Sequence, residues 1–263
     1  MTWISQINRR IKGYLSGDPG LSETVRNSYR DFMGSKTTTF VKLLERFFSQ
    51  RPTRSLADTS EPILQTTIEL LWFGETECLT EMHLIVDLTK QQGDRLNGFV
   101  DIFIGNPQRQ HDALNSILVM ELKNVSLRYL WKARQQNPKA EPTSQNDYET
   151  LLRELDQATE DQLLDLEYSF FDKNSHGYVT QKVKDTLQTA AAQLNHYISI
   201  ISCGQGGQTR PGVRDHRVVC RNGGQDVLRG YVIICVAGMR VICRQTATTA
   251  TEYSYVFTGT QFL

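Results

Sequence analysis

Residues 98–123 read GFVDIFIGNPQRQHDALNSILVMELK, and they contain two apolar runs that each carry charged residues. The first run, Gly98 to Gly105, is rich in aromatic and β-branched residues and has one acid, Asp101, inside it. The second run, Ile117 to Lys123, is apolar until Glu121. Both runs have the composition of β-strands, and the turn-forming residues between them predict that the two strands are neighbours in a sheet.

The charged residues of these two runs are spaced to meet at one edge of that sheet. Glu121 and Lys123 stand two residues apart and so project from the same side of a strand. Pairing with the first run adds Asp101, and two carboxylates that converge in a mostly buried sheet repel each other and are costly to desolvate. A hard divalent cation such as Mg2+ relieves both costs. Each acid alone could lie at an exposed edge or beside a surface lysine, but the three charges together favour a shared functional site.

The composition sets the class of protein. The chain has 263 residues, of which 39% are hydrophobic, enough for one large or two small domains with a real core. It contains no apolar run of about 18 residues, and polar residues interrupt its start, so we expect an intracellular protein, cytoplasmic or nuclear, without a signal peptide or a membrane partner. Its five cysteines include no CxxC pair, which favours reduced thiols over a zinc site or a disulfide framework.

Charge is balanced overall but unevenly distributed. The chain has 29 basic and 29 acidic residues, and a net charge of zero does not indicate nucleic-acid binding. Residues 137–173 nevertheless hold ten acids against three basic residues, whereas residues 204–221 hold four arginines and one acid among several glycines. The sequence thus predicts an acidic segment and a basic loop within one chain.

The rest of the chain is divided by the periodicity of its apolar residues. Residues 1–35 predict a helical N-terminal arm, and a polar, acidic, helical insertion is expected at about 128–178. Helices are predicted at 38–49, about 61–73 and 180–201, and strands at 82–88, 227–237, 240–245 and 253–257. The main elements follow the order helix, three strands, helix, strand, which indicates an α/β fold with a central mixed sheet flanked by helices.

This αβββαβ order and three motifs resemble the PD-(D/E)XK nuclease superfamily, whose fold is called restriction-endonuclease-like. The trio looks like the pattern of the RecB-like branch and consists of Gly98-x-x-Asp101, Glu121-x-Lys123 and Gln193-x-x-x-Tyr197. Within the superfamily the chain most resembles the nuclease-like domain found after an AAA-type ATPase in many bacterial and fungal proteins. The likeness covers about residues 38–245 and implies that residues 36–263 form a nuclease-like domain around the insertion.

The resemblance implies a metal site for Mg2+ or Mn2+. Asp101 and Glu121 would be the metal ligands, and Leu122 would add its backbone carbonyl. Lys123 would orient or activate the attacking water and offset the charge that builds on the phosphate oxygens. The chain departs from the family pattern at Phe99, since many relatives carry a basic residue after the glycine. This departure concerns binding of the substrate more than binding of the metal.

Three further residues take site roles by the same resemblance. Glu61 corresponds to the acid on the family's first helix, with Glu69 as a second choice, although an acid also suits the start of a helix for its own sake. Gln193 and Tyr197 lie four residues apart on one helix face, where they would brace the site or contact the nucleic acid. Ordinary hydrogen bonds between that helix face and the sheet would explain the same pair.

The predicted function is hydrolysis of a phosphodiester bond by a metal-dependent nuclease. DNA is preferred to RNA as the nucleic-acid partner, and the protein could form a homodimer. The basic loop is the predicted site of phosphate contacts, through Arg210, Arg214, Arg217 and Arg221. The alternative is that this loop is only solvated and contacts no phosphate. The alternative function is a non-catalytic binding module that keeps the fold, in an effector or mobile-element protein. A structural or ATPase-partner domain is disfavoured, because it would need a nucleotide-binding loop that the sequence lacks.

Overall fold

The computed structural model describes residues 19–49, 60–72, 77–87, 97–105, 116–137, 139, 145–173 and 175–258. Seven helices lie in these ranges: α1 (Pro19–Met33), α2 (Thr38–Ser49), α3 (Glu61–Leu71), α4 (Leu127–Arg134), α5 (Gln145–Gln157), α6 (Glu160–Asp165) and α7 (Val183–Ile201). The same ranges hold ten strands: β1 (Glu77–Ile85), β2 (Asn97–Gly105), β3 (Ser116–Val125), β4 (Glu167–Asp172), β5 (Gly177–Lys182), β6 (Gly212–Val213), β7 (Val218–Asn222), β8 (Val227–Val236), β9 (Arg240–Ala250) and β10 (Tyr253–Phe257). None of these helices is long and apolar enough to cross a membrane.

Six of the strands form the central sheet, in the order β6-β1-β2-β3-β8-β9. β3 and β8 run parallel to each other, whereas the remaining registered pairs of this sheet are antiparallel. A parallel pair needs a long crossover connection, and the segment from α4 to α7 supplies it. The expected α/β architecture with a central mixed sheet is therefore confirmed.

The two strands predicted from residues 98–123 occupy the middle of this sheet. They are β2 and β3, and they pair antiparallel as expected. β3 has a partner on each side and is buried from Ile117 to Leu122. This burial on both faces explains why its sequence is apolar without alternation up to Glu121. The linker between the strands, with Asn106, Pro107 and Asn115, lies outside the described residues.

Helices cover both faces of the sheet. On one face α7 packs against the strands through residues such as Leu194 and Ile198. Gly230 of β8 permits this approach, because a Cβ atom at that position would stand 2.4 Å from the Cδ1 atom of Ile198. On the other face α1, α2 and α3 form a second core, in which the rings of Phe32 and Tyr231 lie 4.4 Å apart between centroids. Residues 19–33 of the expected N-terminal arm are thus built into the core, and residues 1–18 lie outside the described part of the chain.

The insertion is helical only in part. It contains α4, α5 and α6 and continues into the antiparallel β4–β5 hairpin, whereas the sequence predicts a helical insertion to about residue 178 and a helix from residue 180. Aromatic, β-branched and hydroxyl residues favour strands at these positions, and the hydroxyls of Ser169 and Thr180 bond across the hairpin at 2.6 Å. The next helix begins at Val183 and not at residue 180, because the hairpin ends at Lys182, whose backbone nitrogen donates to the side chain of Asp185 at 3.1 Å.

The basic loop at 204–221 is not a free loop, which corrects the prediction. Gly212–Val213 forms β6 beside β1 at the edge of the central sheet, and Val218–Asn222 forms β7. The predicted final strand exists as β10, but it pairs with β7 in a separate two-stranded sheet. Apolar periodicity could not detect β6, because a strand of two residues contains no period.

Candidate active site

The candidate active site lies where β2 and β3 separate. Their registered pairing ends at Ile102 and Met120. At the next residue of β2, the Oδ2 atom of Asp101 accepts a hydrogen bond of 2.6 Å from the backbone nitrogen of Leu122. A carboxylate thus takes the place of the backbone carbonyl that would continue the ladder, and this bond keeps Asp101 beside β3.

Glu121 is the buried carboxylate of the site, with only 1% of its surface exposed. Its Oε1 atom accepts a hydrogen bond of 2.8 Å from the Nζ atom of Lys123. Its Oε2 atom is also buried and has no hydrogen-bond partner within the described residues. Burial, reinforced by the nearby charge of Asp101, raises the pKa of Glu121 to about 7. An unpaired carboxylate oxygen in such a place is costly unless a cation binds it.

Lys123 joins three groups of the site. Its Nζ atom lies 2.8 Å from the Oε1 atom of Glu121, 2.9 Å from the carbonyl oxygen of Leu122 and 3.8 Å from the Oε1 atom of Glu61. Burial by itself would lower the pKa of Lys123, but the charges of Glu121 and Glu61 outweigh it, and the pKa lies above its usual value. The ammonium group is therefore held in its charged form within the site.

Helix α3 brings Glu61 to this cluster. Glu61 is the first residue of the helix and Pro62 follows it, as the sequence predicted. Burial raises the pKa of Glu61, whereas the charge of Lys123 lowers it. The start of the helix and the edge of the cluster coincide here, so the position of Glu61 is compatible with both interpretations of the sequence.

Of two other polar residues of α3, one contacts the site and the other does not. The Nε2 atom of Gln65 donates a hydrogen bond of 3.1 Å to the carbonyl oxygen of Asp101, a contact that no motif indicated. Glu69, the second choice for the helix acid, has Thr80 as its hydrogen-bond partner, and burial raises its pKa. The helix therefore offers Glu61 and Gln65, and not Glu69, to the carboxylate cluster.

Glu81 on β1 is an additional acid that the sequence did not indicate. The registered pairing of β1 with β2 skips Glu81, whose backbone has a φ of 51°. Burial and the charge of Asp101 raise the pKa of Glu81, whereas the charge of Lys123 lowers it. Its carboxylate thus lies within electrostatic reach of the site. A positive φ is uncommon for a residue other than glycine and indicates local strain.

Arg217 fixes the backbone on either side of this strained residue. Its Nη2 atom donates to the carbonyl oxygens of Thr80 and Glu81 at 3.0 and 3.4 Å. The same guanidinium group donates to Asp215, with Nη2 2.6 Å from Oδ2 and Nε 2.9 Å from Oδ1. These hydrogen bonds hold the pKa of Asp215 well below its usual range, although burial acts in the opposite direction. The guanidinium of Arg217 is therefore committed to contacts within the protein.

The other three arginines of the basic loop have exposed side chains, and they are Arg210, Arg214 and Arg221. The backbone nitrogen of Arg214 donates to the carbonyl oxygen of His83 at 3.0 Å, which extends the pairing of β6 with β1. Arg221 belongs instead to β7 and lies opposite Ser254 of β10. The predicted phosphate-binding set is thus spread over two sheets, and Arg214 is its exposed member beside β1.

Gln193 and Tyr197 reach the site from α7. The amide of Gln193 donates a hydrogen bond of 3.2 Å to the Tyr197 hydroxyl. Burial raises the pKa of Tyr197, and the charges of Glu121 and Asp101 raise it further against the hydrogen bond from Gln193. Tyr197 approaches β2 over Gly98, because a Cβ atom at Gly98 would stand 2.9 Å from the Cε1 atom of the tyrosine. The Cγ2 atom of Val86 would be closer still, at 2.6 Å, so the packing of both Val86 and Tyr197 favours glycine in the Gly-x-x-Asp motif.

A groove with a volume of about 760 Å³ opens beside this helix. Its walls come from the end of β1, the start of β2 and the C-terminal half of α7, and they are formed by Val86, Asp87, Asn97, Gly98, Phe99, Gln193, His196 and Tyr197. The volume is in the range of ligand-binding clefts. The groove therefore lies beside Tyr197 and is open to a ligand.

The donor atoms of the site fit a magnesium-type ion. Among the described residues, no three His, Cys, Asp or Glu side chains are placed to hold a metal ion together. The protein ligands would then be the carboxylates of Asp101 and Glu121 and the carbonyl of Leu122, which accepts from Lys123 at 2.9 Å. Mg2+ usually takes only one or two carboxylates and fills its remaining positions with water and substrate phosphate. The free Oε2 atom of Glu121 is the observation that favours such an ion.

The known proteins offer no further guide to function. Comparison with models of protein families found no match. Comparisons with curated proteins and with solved structures found none either.

Proposed function

We propose that this protein is a divalent-metal-dependent nuclease of the PD-(D/E)XK type that hydrolyses phosphodiester bonds, with DNA as the preferred substrate. The arrangement of the elements around the site supports this proposal. Helix α3 is followed by the antiparallel strands β1, β2 and β3. After the insertion, α7, β6 and β7 precede β8, which runs parallel to β3. The α/β architecture with a central mixed sheet is compatible with the fold that the resemblance of the sequence motifs implies.

The observation that carries the proposal is the state of Glu121. This carboxylate is 1% exposed and has one oxygen bonded to Lys123, and its other oxygen is buried without a hydrogen-bond partner among the described residues. A carboxylate kept only for stability would bond through both oxygens, because an unsatisfied buried acceptor costs about 1–3 kcal/mol. An arrangement that leaves one oxygen for a cation, beside a second carboxylate and a lysine, suits metal-assisted hydrolysis.

Each residue of the cluster has a distinct task in that reaction. A bound divalent ion would polarise the phosphate and lower the pKa of a bound water. Asp101 and Glu121 would hold the ion, and the hydrogen bond from Leu122 fixes the Asp101 carboxylate in position. Lys123 keeps its positive charge in the site and can stabilise the negative charge that grows on the phosphate oxygens. Glu61 keeps the ammonium of Lys123 near the site by pairing with it at 3.8 Å.

The test is cleavage of DNA with Mg2+ or Mn2+ by the unmodified protein and by Glu121→Gln. The variant should lose activity by at least about a hundredfold, because the amide cannot replace a charged ligand. Asp226→Asn is a matched control. Asp226 is another buried acid, but its Oδ2 atom accepts a hydrogen bond of 3.0 Å from the backbone nitrogen of Tyr255. Asp226→Asn should retain activity in the folded fraction.

The same experiment separates a nuclease from a binding module. Cleavage that survives in Glu121→Gln would show that the reaction does not need Glu121 and would reject the proposal. Binding of oligonucleotides by the unmodified protein without cleavage under any divalent ion would favour the non-catalytic alternative. RNA and DNA oligonucleotides of the same sequence, compared side by side, decide the preferred substrate.

A further inference from the structure

Phe99, which follows the glycine of the Gly98-x-x-Asp101 motif, is an exposed aromatic residue beside the site. Its side chain is 48% exposed, and within the described residues only four large hydrophobic side chains are exposed. The Phe99 ring stacks on the imidazole of His83, with centroids 5.1 Å apart and planes inclined by 13°. His83 therefore supports one face of the ring and fixes its plane.

An exposed arginine lies beside this cross-strand pair. Phe99 of β2 lies opposite His83 of β1 in the registered pairing. One residue beyond β6, the backbone nitrogen of Arg214 donates to the carbonyl oxygen of His83 at 3.0 Å. Directly opposed residues of paired strands project from the same face of a sheet. The aromatic ring and its support therefore share a face, and the exposed arginine lies beside them toward the edge of the sheet.

We propose that Phe99 is a stacking platform for an unpaired base of the nucleic-acid strand that enters the site, and that Arg214 contacts the phosphate of the same stretch. The inference rests on the proposed function and deepens it, because it assigns a single-stranded segment as the bound form. Exposed aromatic rings next to cations are the general means by which proteins bind single strands, since every base has a face that can stack.

The position of Phe99 ties the platform to the chemistry. Phe99 precedes Asp101 by two residues in the same strand and also lines the groove beside Tyr197. A base held on Phe99 would therefore fix the strand within two residues of a candidate metal ligand. Phe99 also stands where the family pattern carries a basic residue, so stacking replaces an ionic grip on the substrate at this position.

A second exposed aromatic pair provides the contrast. Phe171 is 50% exposed, but it lies in the β4–β5 hairpin, where its ring meets Tyr178 edge-on at 78° and a centroid distance of 5.5 Å. The Nζ atom of Lys132 lies 5.8 Å from the centroid of the Tyr178 ring. Phe171 equals Phe99 in size and exposure but belongs to the insertion, which makes it the matched control.

The experiment measures fluorescence anisotropy of a labelled oligothymidylate with the Glu121→Gln protein, which should bind without cleaving. Adding Phe99→Leu should weaken binding by about 5- to 140-fold, the loss expected for one base-aromatic stack. Phe99→Trp should restore the affinity, and Phe171→Leu should leave it unchanged. The same oligonucleotide lacking its bases should bind the Phe99→Leu and parent proteins equally, because no base remains to stack.

Several results would overturn the platform. Equal affinities for Phe99→Leu and Phe171→Leu would reject it and leave the nuclease proposal intact. A loss that persists on the abasic strand, or that is as large on duplex DNA, would show that Phe99 acts through the fold or on paired DNA. If the Glu121→Gln protein binds no oligonucleotide and the unmodified protein cleaves none, both proposals fall together.

Discussion

The carboxylate of Asp101 and the backbone nitrogen of Leu122 are joined by a hydrogen bond of 2.6 Å at the point where β2 and β3 separate. Asp101 is therefore both a candidate metal ligand and the last polar link between the two strands. Because Leu122 is buried, its N–H group has no access to water once that acceptor is removed. Function and stability are coupled at this residue.

Asp101→Ala should abolish cleavage and also lower the free energy of unfolding by about 1–3 kcal/mol, the cost of one unsatisfied buried donor. Asp101→Asn should recover most of that stability, because its side-chain carbonyl can accept the same bond, yet it should remain inactive. Urea unfolding in the presence of a chelator measures the first effect, and a cleavage assay measures the second. Equal stabilities of the Ala variant and the unmodified protein would show that the bond contributes nothing.

Glu121→Gln should change the pH dependence of stability in the metal-free protein. Burial raises the pKa of Glu121 from 4.5 to about 7, so the folded state binds a proton more tightly than the unfolded state. The stability from this proton is fully present below pH 4.5 and is lost as the pH rises to about 7. At pH 8 the glutamine variant should therefore be more stable, by on the order of 2–4 kcal/mol, and the difference should vanish near pH 4.5.

Thermal unfolding of both proteins across this pH range in a chelator is the measurement. Mn2+ should then stabilise the unmodified protein and leave the glutamine variant almost unaffected, since a ligand that binds only the folded state raises its stability. A constant difference between the two proteins at all pH values would contradict the raised pKa of Glu121.

Lys123→Ala should reduce turnover much more than metal affinity. The ammonium group has no lone pair to donate to a metal, and its contribution is to offset negative charge in the transition state. We expect a fall in turnover of about 10²–10³-fold. Calorimetric titration with Mn2+, in parallel with single-turnover cleavage, separates the two quantities. Lost Mn2+ binding with normal turnover per bound ion would assign Lys123 to the metal instead.

Two glutamates on one helix distinguish a site role from a helix-start role. Glu61→Gln should lower the cleavage rate, because Glu61 pairs with Lys123 at 3.8 Å. Glu69→Gln should not, because Glu69 bonds with Thr80 instead. Cleavage rates of the two variants at saturating Mn2+ make the comparison, with thermal unfolding as the control for folding. Similar rates for both variants would return Glu61 to the role of a helix-start acid.

The sequence was sufficient for those parts of the site that lie within one element or between adjacent strands. The charges of Asp101, Glu121 and Lys123 could be placed because strands have a period of two and neighbours in sequence tend to pair. Gly98 could be recognised as part of a motif, but the close approach of Val86 and Tyr197 that favours glycine there depends on how the chain packs around β2.

The parts that were missed depend on contacts between distant segments. Glu81 enters the site through a backbone with a φ of 51° at a point where strand pairing skips a residue, and no local pattern encodes that irregularity. Arg217 was grouped with three other arginines by charge alone, whereas its bonds to Asp215 and to the carbonyl of Thr80 form only after β1 is in place. Long-range pairing of this kind overrides composition.

The arginines of the loop at 204–221 should separate into two classes. Replacing Arg210, Arg214 and Arg221 together by Gln should flatten the plot of log affinity against log salt by up to about 0.9 units per phosphate contact on duplex DNA, or about 0.7 on a single strand. Arg217→Gln should mainly lower stability, because it leaves Asp215 buried without its charge partner. Salt titrations in the Glu121→Gln background, with thermal unfolding of each protein, test both statements. An unchanged slope in the triple variant would remove this loop from the nucleic-acid interface.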